Sequence, residues 1–147
     1  MDLLNVCSNA LIGINKRDGL YTEERLLGAL NHIIRPSMSE EEIRDSIIQV
    51  SLELTTDMEP DWQKVSERLY VYKLYDEVRN NRKLSKDNEL YDDLYGFIKE
   101  LTNKGLYGKY ILENYTEDEI AELEKEIKPE RDFLFTYSGI NILAKRY

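Results

Sequence analysis

The chain has 147 residues, and its 29 Asp and Glu outnumber its 20 Lys and Arg, which gives a net charge of −9. This acidic balance excludes a general binder of nucleic acids, because phosphate binding needs a surplus of basic residues. The length suits one domain or two small packed units.

The cysteine and histidine content excludes two kinds of structural site. Cys7 and His32 are the only residues of their types, so no internal disulfide forms and a structural zinc site lacks ligands. No apolar run reaches the roughly 20 residues of a membrane helix, and the N-terminus lacks the basic start of a secretory signal. We therefore predict a cytoplasmic protein without a metal site or a membrane contact.

The N-terminal residues are predicted to form loop and strand. Residues 1–13 show little periodicity, and 7–9 are typical of a loop. The apolar start of 11–21, followed by a turn at Gly19, predicts a strand or short hairpin, since glycine tolerates positive φ.

Three helices are predicted in the next segment. Thr22 is a suitable N-cap for the first, which ends before Pro36. Ser39 and Glu42 form a capping box for the second. The third is predicted over 60–80, from the helical spacing of its apolar residues.

Further helices are predicted after a polar boundary at 80–87. Apolar residues at helical spacing over 90–101, ended by Gly105, predict a fourth helix. Thr116 begins a capping box for another, and Ser138 is a candidate cap for a final short helix. We therefore predict a mainly α protein, a helical bundle with a small N-terminal strand or hairpin.

The residues do not indicate catalysis by this chain. Cys7 has no histidine near it in sequence, and His32 lies among apolar residues as a structural or surface histidine would. Most carboxylates fall in first turns or on polar faces of predicted helices, and both glycine-rich phosphate-loop motifs are missing from the sequence. We predict no catalytic residue.

Two segments leave a binding role open. Lys16 and Arg17 lie in a tight turn before a predicted helix, which suits a phosphate, although basic residues in surface turns usually bind nothing. The aromatic segment 131–137 is either ordinary core or a docking element for a partner. The candidate docking residues are Arg131, Phe133, Phe135, Tyr137, Ile140 and Leu143.

Several segments together resemble one family. They are Lys16-Arg17-Asp18-Gly19, Arg68-Leu69, Leu90-Tyr91-Asp92, Gly105-Leu106-Tyr107, the run 112–120, the run 130–137 and the ending 143–147. Their order resembles the N-terminal region of the large (alpha) subunit of class I ribonucleotide reductases. In that family an ATP-cone, a nucleotide-sensing module, is followed by a helical segment that leads into the catalytic barrel.

The resemblance implies a division of the chain and a set of site residues. Residues 1–80 would form a partial ATP-cone-like domain, and 81–147 a helical segment that precedes or docks on the barrel. The effector would be ATP or dATP. The nucleotide-binding residues implied are Ile14, Asn15, Lys16, Arg17 and Arg44.

Two departures from the family predict a degenerate cone. The segment between Gly19 and Ser39 is roughly twenty residues shorter than in the family, by our reading of the resemblance. Asp76 stands where the family often has a basic residue, and an acidic group facing a triphosphate would repel it.

The resulting hypothesis is a non-catalytic part of a reductase. The family's chemistry needs several cysteines and this chain has one, so we expect the N-terminal regulatory or structural part of a large subunit. A separately encoded part of a split subunit is the preferred interpretation, and a truncated product is the alternative. Its partner would be the chain that carries the catalytic barrel and, indirectly, the radical-bearing small subunit, in deoxyribonucleotide synthesis. The alternative is an acidic helical adaptor that binds a basic protein surface and no nucleotide.

Overall fold

The computed structural model describes residues 2–14, 19–84, 90 and 93–146, and this part of the chain is mainly helical. Thr56 and Glu59 form an isolated antiparallel β-bridge, and no sheet forms among the described residues. The predicted mainly α fold is confirmed. The helices are α1 (Leu3–Ala10), α2 (Glu23–Asn31), α3 (Glu40–Glu53), α4 (Trp62–Arg82), α5 (Leu94–Asn103), α6 (Tyr110–Asn114), α7 (Glu117–Glu124), a 3₁₀ helix (Pro129–Leu134) and α8 (Tyr137–Arg146).

The N-terminal prediction of a loop and a strand is corrected. Residues Leu3–Ala10 form α1, and Asp2 caps it by accepting a hydrogen bond from the Asn5 backbone. The strand or hairpin over 11–21 is not confirmed, because 11–14 form turns and a bend, while 15–18 lie outside the described residues. The buried residues of this segment repeat at helical spacing, which the sequence interpretation overlooked: Cys7, Ala10, Leu11 and Ile14.

Three predicted helix starts are confirmed by their cap hydrogen bonds. The predicted cap at Ser138 is wrong, because α8 already begins at Tyr137 and the Thr136 hydroxyl accepts from the Gly139 backbone at 3.2 Å. The Thr22 hydroxyl accepts from the Arg25 backbone at 3.2 Å. Ser39 and Glu42 form the predicted capping box, and so do Thr116 and Glu119. These caps satisfy backbone N–H groups that the first helical turn leaves without a partner.

The chain divides into two structural units. Unit 1 comprises Met1–Asp76 with Asp132–Tyr147, and unit 2 comprises Glu77–Arg131. The C-terminal segment, which contains α8, thus groups with α1 to α3. The functional division predicted at residue 80, into a cone-like part and a docking segment, stays a prediction.

Unit 1 encloses a continuous apolar core. Trp62 is completely buried at its centre, and its ring lies 5.4 Å from that of Tyr21. The Tyr21 hydroxyl accepts from the Asp61 backbone at 3.3 Å, which ties the segment before α2 to the start of α4. Other large core residues with almost no exposed surface are Leu11, Leu26, Leu30, Ile47 and Val65.

Unit 2 is built on contacts between α5 and α7. Ile98 and Ile120 are its most buried residues on these helices. Asp93 caps α5 from a left-handed conformation, and its carboxylate accepts from the Gly96 backbone at 2.9 Å. A Cβ on Gly96 would lie 2.1 Å from that carboxylate, so the cap requires glycine there.

No helix among the described residues has both the length and the apolar composition needed to cross a bilayer.

Candidate functional site

The predicted nucleotide residues are only partly within the described chain. Ile14 is 6% exposed and packs in the unit 1 core. Asn15, Lys16 and Arg17 lie outside the described residues. Nucleotide binding by these residues therefore stays a prediction. Ile14 itself contributes to the core.

Arg44, the last of the predicted nucleotide residues, has a partner within unit 1. Its guanidinium lies 2.6 Å from the Asp76 carboxylate and joins α3 to α4. On the same two helices the Lys73 ammonium lies 2.5 Å from the Asp45 carboxylate. Any phosphate that bound Arg44 would compete with the carboxylate of Asp76.

Arg68 holds the end of α1, a role that the sequence interpretation missed. Its guanidinium donates to the Ala10 carbonyl at 2.9 Å and also to the Ile12 carbonyl. The last carbonyls of a helix have no partner within the helix, and a cation is favoured beside them. Arg68 thereby fixes the backbone immediately before the Lys16-Arg17 segment.

One side of α8 packs on α4 within unit 1. The Tyr137 ring lies 5.6 Å from that of Tyr70, and its backbone N–H donates to Glu67. Ile140, one helical turn further along, is 4% exposed. The Tyr70 hydroxyl donates to the Asn141 side chain at 3.4 Å. These contacts use two of the predicted docking residues inside the unit.

The segment before α8 is held by tyrosines of α4. The Phe133 ring meets Tyr72 and Tyr75 edge to face, with centroids 5.6 and 6.2 Å apart. The Tyr75 hydroxyl donates to the Asp132 carboxylate at 2.7 Å. Phe133 is therefore a packing residue of unit 1, and burial raises the pKa of the neighbouring Tyr72 phenol.

The other predicted docking residues lie at the surface. Phe135 and Leu143 are each 46% exposed, and Arg131 is exposed in unit 2. Leu134 and Ile142 are more exposed, at 80% and 52%, although the prediction omitted them. Ile142 and Leu143 follow Gly139 by three and four residues, which places all three on one side of α8. This spacing can be read from the sequence alone.

A groove in unit 1 lies where α3, α4 and α8 meet. It has a volume of about 490 Å³, within the usual range for ligand sites, and its apolar lining includes Ile48, Tyr70 and Tyr137. Lys73 and Lys145 also line it. Lys73 is paired with Asp45, which lines the groove too, so the charge of Lys73 is offset there.

Cys7 has the environment of an inert thiol. The side chain is completely buried, and burial together with the nearby negative charge of Glu23 raises its pKa to about 11. The thiol is therefore protonated at neutral pH, whereas nucleophilic and metal-binding cysteines react as thiolates. Across the described residues no group of His, Cys, Asp and Glu side chains is arranged to hold a metal ion.

Comparison with known proteins gives a consistent result. No family model matches the chain. It is 33% identical over 101 residues to the ribonucleoside-diphosphate reductase subunit alpha of Treponema pallidum, which covers 69% of the chain and 12% of that protein. The Helicobacter pylori subunit alpha (strain 26695) is 31% identical over 113 residues, 77% of the chain and 13% of that protein. The Synechocystis subunit alpha is 30% identical over 114 residues, 78% of the chain and 14% of that protein.

The chain is related to ribonucleoside-diphosphate reductase alpha subunits. The resemblance found in the sequence is thereby confirmed. A match of 114 residues is longer than either structural unit, so the relationship to the alpha subunit extends over both. The chain spans between 12% and 14% of the length of these alpha subunits.

Proposed function

We propose that this chain is an N-terminal regulatory or structural part of a ribonucleoside-diphosphate reductase alpha subunit, and that it supports deoxyribonucleotide synthesis without performing the reduction. One observation carries the proposal. Alpha subunits match 69% to 78% of this chain, while the chain spans only 12% to 14% of them. We further propose that the catalytic barrel implied by the resemblance lies on a separate polypeptide, as in a split subunit.

The state of Cys7 supports a non-catalytic role. The reductase chemistry implied by the resemblance depends on several reactive cysteines, and this chain has one. Cys7 is buried and its pKa is raised to about 11, so it does not supply a thiolate. In this proposal, a partner chain performs substrate reduction in the cytoplasm, together with the radical-bearing small subunit.

The main test is co-purification. We would purify the tagged chain from its native source, identify the proteins bound to it, and repeat the experiment at raised salt. The proposal predicts that a reductase chain with the catalytic cysteines co-purifies. Recovery of a basic protein unrelated to the reductase, in a salt-sensitive complex, would contradict it and favour the acidic adaptor.

Effector binding is the regulatory half of the proposal, and it rests on Lys16 and Arg17. Calorimetry of the wild-type chain with ATP and with dATP would detect heat from binding at this segment. A double charge reversal, Lys16→Glu with Arg17→Glu, is expected to abolish that heat, because phosphate recognition depends on these cations. The reversal of Lys125 and Lys128 changes the net charge equally and serves as the control; loss of heat in that control would contradict the assignment.

A further inference from the structure

Helix α8 is apolar on two opposite sides. Tyr137 and Ile140 face the rest of unit 1, where the Tyr137 ring lies 5.6 Å from that of Tyr70. Ile142 and Leu143 are 52% and 46% exposed. A surface helix of a globular protein usually has one apolar side, and a helix that is apolar all round is usually buried.

Residues on one side of α8, together with Phe135 just before it, make up a surface that we call the outer α8 stripe. It consists of Phe135, Gly139, Ile142, Leu143 and Arg146. Spacings of three and four residues place the last four on one side of the helix. The Phe135 ring reaches the same side, since one of its carbons lies 3.8 Å from where a Cβ of Gly139 would be. Leu134, at 80% exposure, flanks the stripe.

The segment that contains the stripe has a net charge opposite in sign to that of the whole chain. From residue 133 to 146 there are two basic residues, Lys145 and Arg146, and no Asp or Glu, while the whole chain has a net charge of −9. A partner surface that covers the stripe therefore needs an apolar groove with carboxylates beside Arg146. A second copy that packed through the same stripe would bring no carboxylate from residues 133–146 to Arg146.

We propose that the outer α8 stripe docks into an apolar groove with acidic residues along its rim, on the polypeptide that carries the catalytic part of the reductase. This inference rests on the proposed function and assigns its contact surface. Five of the six predicted docking residues then separate into two groups, and the sixth, Arg131, belongs to unit 2. Phe133, Tyr137 and Ile140 hold α8 on unit 1, and Phe135 and Leu143, with Ile142 and Arg146, contact the partner.

The first experiment changes the centre of the stripe. We would measure the affinity of wild-type chain and of Leu143→Asp for the purified catalytic reductase chain from the same source. The aspartate puts a charge into the apolar contact and repels the acidic rim, so affinity is expected to fall about tenfold or more. Leu123→Asp on α7 is the matched control, since Leu123 is 59% exposed and lies outside the stripe. Circular dichroism and thermal unfolding would verify that both variants fold.

The second experiment tests the charge assignment on an exposed residue. Arg146→Glu is expected to weaken binding and to reduce the dependence of the affinity on salt, because an attraction across the rim is replaced by repulsion. Glu122→Lys, on α7, reverses a charge away from the stripe and is expected to leave the affinity within about twofold of wild type.

The outcomes separate the inference from the proposed function. If the wild-type chain forms the complex and Leu143→Asp and Arg146→Glu leave it intact, docking through the outer α8 stripe is contradicted. The proposed function would still stand. The absence of any complex with the wild-type chain would overturn both. Self-association of the chain that Leu143→Asp abolishes, seen by sedimentation velocity, would make the stripe a contact between copies and would also overturn the inference.

Discussion

The two structural units differ in how their apolar residues are distributed. Unit 1 surrounds the fully buried Trp62 with large aliphatic side chains from its other helices. In unit 2, Ile98 and Ile120 are buried, while Leu106 and Leu123 are 70% and 59% exposed. Since apolar burial is the main favourable contribution to folding, we expect unit 2 to have the lower free energy of unfolding. Unit 1 is therefore stabilised by its own core, whereas unit 2 has few buried apolar side chains.

The largest expected effect comes from the centre of the unit 1 core. Trp62→Ala removes the side chain that contacts Tyr21 and leaves a cavity, so the free energy of unfolding is expected to fall by about 3–5 kcal/mol. Urea unfolding followed by circular dichroism measures the change. Met58→Ala, at a position 86% exposed, is the control with an expected change under about 0.5 kcal/mol. Equal losses in the two variants would refute a core centred on Trp62.

A smaller effect is expected from the core of unit 2. Ile120→Ala removes a side chain that is 3% exposed. We expect the free energy of unfolding to fall by about 2 kcal/mol, because the side chain has fewer contacts in this smaller core. Amide hydrogen exchange should become faster in α5 and α7 than in α3. Leu123→Ala on the same helix controls for the loss of a large side chain at an exposed position. Equal acceleration in α3 would show that the two units do not differ in the way described.

Next in size is the hydrogen bonding of Arg68. Arg68→Gln removes the charged donors that bind the Ala10 and Ile12 carbonyls. The free energy of unfolding is expected to fall by about 1–2 kcal/mol. Hydrogen exchange in α1 reports the effect directly, since this helix would fray at its end. Arg35→Gln, an exposed arginine beyond α2, is the comparison. Unchanged exchange in α1 would contradict the anchoring role of Arg68.

The smallest effect is a pH dependence at Glu59. Hydrogen bonds from Arg25, and also from Trp62, hold the pKa of the Glu59 carboxyl below its usual value. The folded state therefore binds this proton less readily than the unfolded state does, and the resulting stability is present at neutral pH and lost as the pH falls through the folded pKa. Glu59→Gln should lower the urea midpoint at pH 7 and have less effect at pH 3. Asp57→Asn, in the exposed turn nearby, is the control; an equal change at both pH values would refute the linkage.

Much of the helical structure could be predicted because its causes are local. The caps at Thr22, Ser39 and Thr116 depend on residues three positions apart, and all three form as predicted. Helix α1 was missed although Cys7 and Ala10 belong to a buried helical pattern. The error came from giving more weight to the turn-forming residues around it than to that periodicity.

The candidate site was less predictable because it depends on contacts between distant parts of the chain. The aromatic tail gave no basis for distinguishing Phe133, which packs on Tyr72, from Phe135, which is 46% exposed. The Arg44–Asp76 ion pair and the bonds of Arg68 to α1 join residues 32 or more positions apart. Such pairings follow from how the helices pack, which the spacing of residues within one helix does not determine.

The most direct test of the central claim is an activity titration. This chain is titrated into a reaction that contains the catalytic reductase chain and its small subunit, and the rate of deoxyribonucleotide formation is measured. The account predicts a saturable change in the rate at a fixed ratio of the chains, weakened by Leu143→Asp and unaffected by Leu123→Asp. A rate that stays constant up to a large excess of this chain would contradict the claim that it is a working part of a reductase alpha subunit.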